Sequence, residues 1–168
     1  MPRTSASPPI PRSPSVLGSG GTASSTTNST SEVNLKSVLV PAGIMGLNGH
    51  LHIEALYKYV GTAGTKTPRI RHSTTAGDTS AGTLLLSSAV AATSLSQSTY
   101  EVITNVNSAS AQIAKPGTLL GFGASDTVML TGSINTAVDS YINFNALVAN
   151  SGDTAQLVSY TVTFYPGV

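Results

Sequence analysis

The chain has no cysteine and no tryptophan, and charged residues make up only 9% of its 168 residues. The absence of cysteine excludes disulfide bonds and metal sites built on cysteine. Soluble domains usually carry about 25% charged residues, so the polarity of this chain comes mainly from serine, threonine and asparagine. Because a surface with little charge is poor at keeping molecules apart, this composition favours a chain whose surface is largely covered by partners.

Clustered basic residues and long apolar segments are absent as well. The net charge is +1 and the eight lysines and arginines are scattered, whereas nucleic-acid-binding proteins concentrate such residues in a patch or stripe. No apolar run approaches the roughly 20 residues of a membrane span, and the N-terminus lacks the apolar stretch of a signal peptide. We therefore expect neither nucleic acid nor a membrane among the partners, and synthesis in the cytoplasm.

The first 31 residues differ in composition from the rest. They are rich in proline up to Pro14 and in glycine, serine and threonine after it, which favours extended and then flexible backbone. We predict an extended arm over residues 1–31, which attaches the protein to a partner, and one folded domain over residues 32–168. Deleting the arm is expected to leave the domain folded. The arm residues expected to contact the partner are Arg3, Pro8, Pro9, Ile10, Arg12, Val16 and Leu17.

From Glu32 onward the sequence has the pattern of strands and turns. Apolar and polar residues alternate over residues 50–60, 141–148 and 158–164, which predicts half-buried strands. Further strands are expected at residues 33–40, 66–75, 83–91, 99–107, 109–114 and 126–130, with a weaker candidate at 134–138. Residues 50–60 and 66–75 should form one antiparallel hairpin, and 141–148 and 158–164 another.

About eight short strands separated by turns indicate a sandwich or a barrel. The predicted fold class is all-β, a jelly-roll-like antiparallel sandwich with an extended N-terminal arm, and an immunoglobulin-like sandwich is the alternative. The residues predicted to form the core are Ile53, Tyr57, Ile142, Phe144, Tyr160, Val162 and Phe164.

Few residues stand in a pattern typical of catalysis or metal binding. His50 and His52 share one strand face with Glu54 and could present two imidazoles to a metal ion; the alternative is two histidines on a solvent or interface face. The chain has no Gly-x-Ser-x-Gly motif, and its seven carboxylates are spread singly. We therefore expect no catalytic, cofactor-binding or metal-binding residues and no enzyme activity. Arg69 and Arg71 share a strand face, and we expect them either to be solvated or to dock onto an acidic patch of a neighbouring protein.

Two segments resemble small structural proteins of tailed bacteriophages. They are PAGIMGLNGHLHIEALYKYVGTAGTKTPRIR, which begins at Pro41, and LVSYTVTFYP, which ends at Pro166. The similar pieces are a loop of the form Pro-Ala-Gly-x-Met-Gly-x-Asn-Gly, a following Leu-x-Ile strand and a final strand ending in Tyr-Pro. The resemblance implies a jelly roll, often trimeric, that serves in the virion as a capsid cement (decoration) protein or as part of a head fibre or tail spike.

Three functions remain open at this point. The favoured one is a cement protein that binds the major capsid protein on the capsid surface after synthesis in the host cytoplasm, as a homo-oligomer for which the resemblance implies a homotrimer. A fibre or tail-spike component that binds host glycan is disfavoured because aromatic residues make up only 5% of the chain. A capsid subunit of a small virus would need a basic arm to neutralise genome phosphates, and this arm has only Arg3 and Arg12.

Overall fold

A computed structural model describes residues 13–21, 24–26, 29–114 and 129–167. These residues form no helix, which confirms the all-β prediction. The described residues therefore contain no helix that is long and apolar enough to cross a membrane. Their eleven strands are β1 (Ser15–Gly20), β2 (Ser24–Ser25), β3 (Val33–Val40), β4 (His50–Val60), β5 (Lys66–Ser73), β6 (Thr83–Ser87), β7 (Ser96–Asn105), β8 (Gln112–Ala114), β9 (Leu130–Gly132), β10 (Ser140–Val148) and β11 (Thr154–Tyr165).

The strands form two antiparallel sheets that pack face to face. The large sheet has the order β1-β11-β4-β7-β8-β9, with β2 also paired to β11, and the small sheet has the order β3-β10-β5-β6. Eight of the strands can be numbered one to eight along the chain, namely β1, β3 to β7, β10 and β11. In this numbering one sheet has the order 1-8-3-6 and the other has the order 2-7-4-5. This is the strand order of a jelly roll, which is the fold class that the sequence predicts.

The two predicted hairpins are wrong, because their strands lie in different sheets. Strand β4 belongs to the large sheet and β5 to the small one, and β10 and β11 are divided in the same way. The turns after residues 60 and 148 reverse the chain, as the sequence indicates. They also carry it from one sheet across the core to the other, and turn composition does not distinguish this crossing from a hairpin.

The core lies between the sheets and contains nearly all of the predicted residues. Tyr160 is the exception, since it is only half-buried and packs against Phe144 with 5.3 Å between the ring centroids. A bulge between Leu157 and Ser159 interrupts the alternation of β11, so Leu157 rather than Val158 is buried. The predicted core residues that are fully buried are Ile53, Tyr57, Ile142, Phe144, Val162 and Phe164.

Part of the predicted arm belongs to the jelly roll. Strand β1 pairs with β11 from Ser15 opposite Phe164 to Gly20 opposite Tyr160, so the sheet begins at Ser15 and not at residue 32. Gly18 allows β1 to pack closely on β3, because a Cβ at this position would lie 2.8 Å from Cγ1 of Val38. The composition of the segment conceals the strand, since its pairing partner lies about 140 residues further along the chain.

The predicted arm contacts divide between described and undescribed residues. Leu17 packs against the core, whereas Val16 is 59% exposed on the outer side of the large sheet. The remaining predicted contacts, Arg3, Pro8, Pro9, Ile10 and Arg12, lie outside the described residues.

One further predicted strand is absent, and another begins outside the described residues. Residues 134–138 form a turn and no strand, and the buried Thr136 accepts a backbone hydrogen bond from Gly43. Residues 126–128 lie outside the described residues, and β9 follows them. Pro68 lies on β5 between two strands of the small sheet, two residues before a bulge at Ile70 and Arg71.

A buried ion pair holds one end of the sandwich together. Lys66, at the start of β5, is fully buried, and its Nζ lies 3.0 Å from Oδ2 of Asp153, at the start of β11. The same ammonium donates to the carbonyls of Gly61 and Ala92, each at 2.6 Å. The turns that precede β5, β7 and β11 therefore meet at one lysine.

We predict that β1 is needed for stability. Deleting residues 2–20 removes the strand that covers the edge of β11 and should lower the free energy of unfolding by at least about 2 kcal/mol, through lost burial of Leu17 and lost ladder hydrogen bonds. Urea unfolding followed by circular dichroism measures this change. A truncation of residues 2–12 alone is the control, and equal stabilities of the two truncated chains would contradict the assignment.

A buried histidine makes the fold sensitive to acid. His72 points from β5 into the core, where its Nε2 lies 3.0 Å from Oγ of Ser140. No group among the described residues hydrogen-bonds its Nδ1. Burial lowers the pKa of His72 from 6.5 to about 4, because the imidazolium would lose its hydration without gaining an acceptor.

The unfolding free energy should therefore fall as the pH drops from 6.5 to about 4. Over that window the unfolded chain binds a proton on His72 that the folded chain does not, which removes up to about 3 kcal/mol. Replacing His72 with Gln, which can still hydrogen-bond Ser140, should flatten the pH dependence in this window. Urea titrations of both proteins at several pH values measure it, and identical slopes would refute the prediction.

Candidate functional site: the open face of the large sheet

The outer face of the small sheet is covered by the protein's own chain. Asn143 and Asn145 point outward from β10, yet both are fully buried. The loop of residues 74–82, between β5 and β6, covers them. Asn143 donates to the carbonyl of Thr75 at 3.0 Å, and Asn145 donates to the carbonyl of Asp78 at 2.8 Å. These buried amides are therefore satisfied, and the face is closed to partners at this point.

An ionic cluster completes the closure. Arg71 donates from Nε to Oε1 of Glu32 at 2.9 Å, Arg69 donates from Nη1 to Oε2, and Asn145 adds a bond of 2.7 Å to Oε1. Burial would raise the pKa of Glu32, but the hydrogen bonds from Arg71, Arg69 and Asn145 outweigh it, and the pKa lies below its usual value. The carboxylate thus stays ionised between two guanidinium groups.

For Arg69 and Arg71 the sequence left open either solvation or docking onto an acidic patch of a neighbouring protein. The acidic group that they face is Glu32 of the same chain. Glu32 immediately precedes β3, and β3 and β5 flank β10 on its two sides. This neighbourhood depends on the strand order, so a local sequence pattern could not indicate it.

We predict that replacing Glu32 with Ala destabilises the fold by about 3 kcal/mol, because two largely buried guanidinium groups lose their counter-ion. Thr74→Ala is the control, since Thr74 is exposed on the loop between β5 and β6 and its truncation should change the stability by less than about 0.5 kcal/mol. Thermal and urea unfolding of both variants test this. A Glu32 variant as stable as the Thr74 variant would contradict the role of the cluster.

The outer face of the large sheet, in contrast, is not covered by the described residues. We define this open face by the outward residues of β4, β7 and β11, none of which is buried. They are His50, His52, Glu54, Leu56, Lys58 and Val60 on β4; Ser96, Ser98, Tyr100, Val102 and Thr104 on β7; and Gln156, Ser159, Thr161, Thr163 and Tyr165 on β11.

The open face combines exposed apolar groups with very little charge. Leu56, Val60 and Tyr100 are 40%, 49% and 41% exposed. Apart from the histidines, the face has one acid, Glu54, and one base, Lys58. Leu56 lies between small residues of the neighbouring strands, in a shallow depression of about 540 Å³. Exposed apolar area with depleted charge is typical of surfaces that bind proteins.

The two histidines considered as metal ligands belong to an aromatic row at one end of the open face. The ring of His50 is parallel to that of Tyr165, with 5.1 Å between centroids, and Nδ1 of His52 lies 2.9 Å from the hydroxyl of Tyr100. Burial and the charge of His50 lower the pKa of His52, against an opposing effect of Glu54. In the described part of the chain, no three histidine or carboxylate side chains stand close enough to hold a metal ion.

The loop from Pro41 to Gly49, for which the sequence indicated no role, shapes one end of the sandwich. Met45 is buried in the core, and Gly43 and Gly46 have positive φ angles of 73° and 54°. A Cβ on Gly49 would lie 2.4 Å from the carbonyl oxygen of Met45. The glycines and the methionine of the motif are therefore explained by backbone conformation and packing.

Comparison with known proteins includes a weak structural likeness to a viral chain. No family model matches the chain, and no curated protein matches it in sequence. A structure of infectious bursal disease virus, Gx strain, contains a chain that aligns with 90% of this chain at 9% identity and a TM-score of 0.28. The alignment covers only 40% of that viral chain. A likeness of this size carries no argument, so the class of the protein, a jelly-roll β-sandwich, is defined by its strand order.

Proposed function

We propose that the chain is a non-enzymatic structural protein of a virion, and specifically a cement protein that binds the major capsid protein on the capsid surface. The observation that carries the proposal is the contrast between the two outer faces. One is closed by the chain's own loop and an ionic cluster, whereas the other is open, partly apolar and almost uncharged. A protein built to assemble requires such a surface.

The pieces that carry the resemblance to phage structural proteins are neighbours in the fold, which supports the proposal. The strand that follows the Pro41–Gly49 loop is β4, and the final strand is β11. These strands pair along their whole length, with His50 opposite Tyr165. Gly167 packs so closely on the loop that a Cβ there would lie 2.4 Å from the carbonyl carbon of Asn48. The loop, the Leu-x-Ile strand and the final strand are thus neighbours in the fold, whereas residues 66–71 of the first segment lie on β5 of the small sheet.

The segment before β1 is the proposed attachment to the capsid. The chain enters β1 at Ser15, and β1 is the edge strand of the large sheet beside β11, with Val16 exposed there. We propose that Ile10 fills an apolar pocket of a capsid subunit, that Arg3 and Arg12 pair with its carboxylates, and that Pro8 and Pro9 reduce the entropy lost on ordering.

A fibre or tail-spike component that binds host glycan is the second candidate. One observation favours it: Tyr100, Tyr165, His50 and His52 place four rings in contact at one end of the open face. Aromatic rings at a surface are suited to packing on sugar rings, although the mutual stacking of His50 and Tyr165 occupies part of their faces.

Binding to capsid shells tests the proposal. The full-length chain should bind shells assembled from the major capsid protein of the same virus, and deleting residues 2–12 should weaken binding at least about tenfold, or 1.4 kcal/mol. This truncation retains β1 and therefore the jelly roll. The double variant Arg3→Ala and Arg12→Ala isolates the contribution of charge. Failure of the full-length chain to bind shells, together with binding to a glycan array, would reject the cement function in favour of the fibre component.

A further inference from the structure

The acid and the base of the open face lie at equal distances on either side of one residue. Glu54 and Lys58 are both exposed on β4, and Leu56 lies midway between them. With a rise of about 3.3 Å per residue, the acid and the base lie about 7 Å on either side of Leu56. The residues paired with them on the neighbouring strands are uncharged: Thr161 and Tyr100 beside Glu54, and Gln156 and Ser96 beside Lys58.

We propose that the open face is the contact surface of a symmetric homodimer, in which two copies pack face to face about a two-fold axis at Leu56. This inference goes beyond the proposed function, since it makes a second copy of the chain the partner of the open face and leaves binding of the capsid to the segment before β1. In a two-fold interface, residue i of one copy contacts residue j of the other, and j contacts i.

The two-fold axis places opposite charges of the two copies against each other. An axis that lies in the contact plane and crosses β4 at a right angle reverses the strand direction in the second copy. Glu54 of each copy then faces Lys58 of the other, so the ion pair forms twice, and Leu56 meets Leu56. Stacking the two copies with parallel strands would place Glu54 over Glu54 and Lys58 over Lys58, which is repulsive.

The shape of the face fits the same arrangement. Ser98 and Ser159 flank Leu56 at the same level, and these small side chains leave the depression into which Leu56 of the second copy can pack. Facing sheets lie about 10 Å apart, a gap that the long side chains of Glu54 and Lys58 can span together. The axis also places His52 opposite Val60, four residues on the other side of the centre, so no like charges meet.

A charge-exchange experiment tests the symmetry directly. The dissociation constant of the full chain is measured by sedimentation equilibrium. Glu54→Lys and Lys58→Glu should each weaken self-association at least about tenfold, because each variant carries two like charges on the face. The double variant, with both charges exchanged, should associate like the parent. An equimolar mixture of the two single variants should form a mixed dimer, since each then offers what the other lacks.

Thr74→Lys is the control, because it adds a positive charge at an exposed position on the loop that covers the small sheet, and it should leave self-association unchanged. A monomeric parent chain, a mass of three copies as the phage resemblance implies, or single variants that associate like the parent would each overturn the dimer.

Discussion

The ion pair between Lys66 and Asp153 is the constraint on which the topology of this sandwich depends. A fully buried ammonium is strongly unfavourable unless it is paired and hydrogen-bonded. Lys66 satisfies this condition with Asp153 and with the carbonyls of Gly61 and Ala92. Asp153 in turn accepts from the backbone of Gly64 at 2.7 Å. All these partners come from the three turns before β5, β7 and β11, so the ammonium is satisfied only when those turns converge.

This convergence explains why the chain crosses between the sheets where its sequence suggests hairpins. If β4 paired with β5, and β10 with β11, the two turns would belong to separate ribbons and nothing in their composition would bring Lys66 to Asp153. In the jelly roll the same turns lie side by side at one end. Gly61 adopts a φ of 88° there, and a Cβ at this position would lie 2.0 Å from Oδ1 of Asp153. The carboxylate thus occupies space that only a glycine leaves free.

Alternation along single strands was predictable, whereas relations between distant strands were not. The buried faces of β4 and β10 follow from period-two patterns, because each strand packs one face on the core. Val158 departs from the pattern because of a bulge. Strand β1 was not predicted, because its serine and glycine residues conceal a strand that pairs with β11. Asn143 and Asn145 read as solvent-facing, yet a loop from the same chain covers them. At the candidate site, the outward face of β4 was visible in the sequence. That Arg69 and Arg71 already have a partner was not, because Glu32 reaches them through the strand order.

The proposed dimer and the proposed attachment to the capsid are geometrically compatible. The two-fold axis runs across the strands, so it keeps the lateral order of the large sheet, and the β1 strands of both copies lie at the same side of the interface. Their directions are opposite, because the axis reverses every strand. The two β1 strands would then begin at opposite ends of one edge, while the open faces are buried against each other. Such a dimer presents two attachment segments, and when a first segment has bound, the second binds at high effective concentration. Weak contacts from a short proline-rich segment would therefore suffice to hold the protein on a shell of repeating subunits.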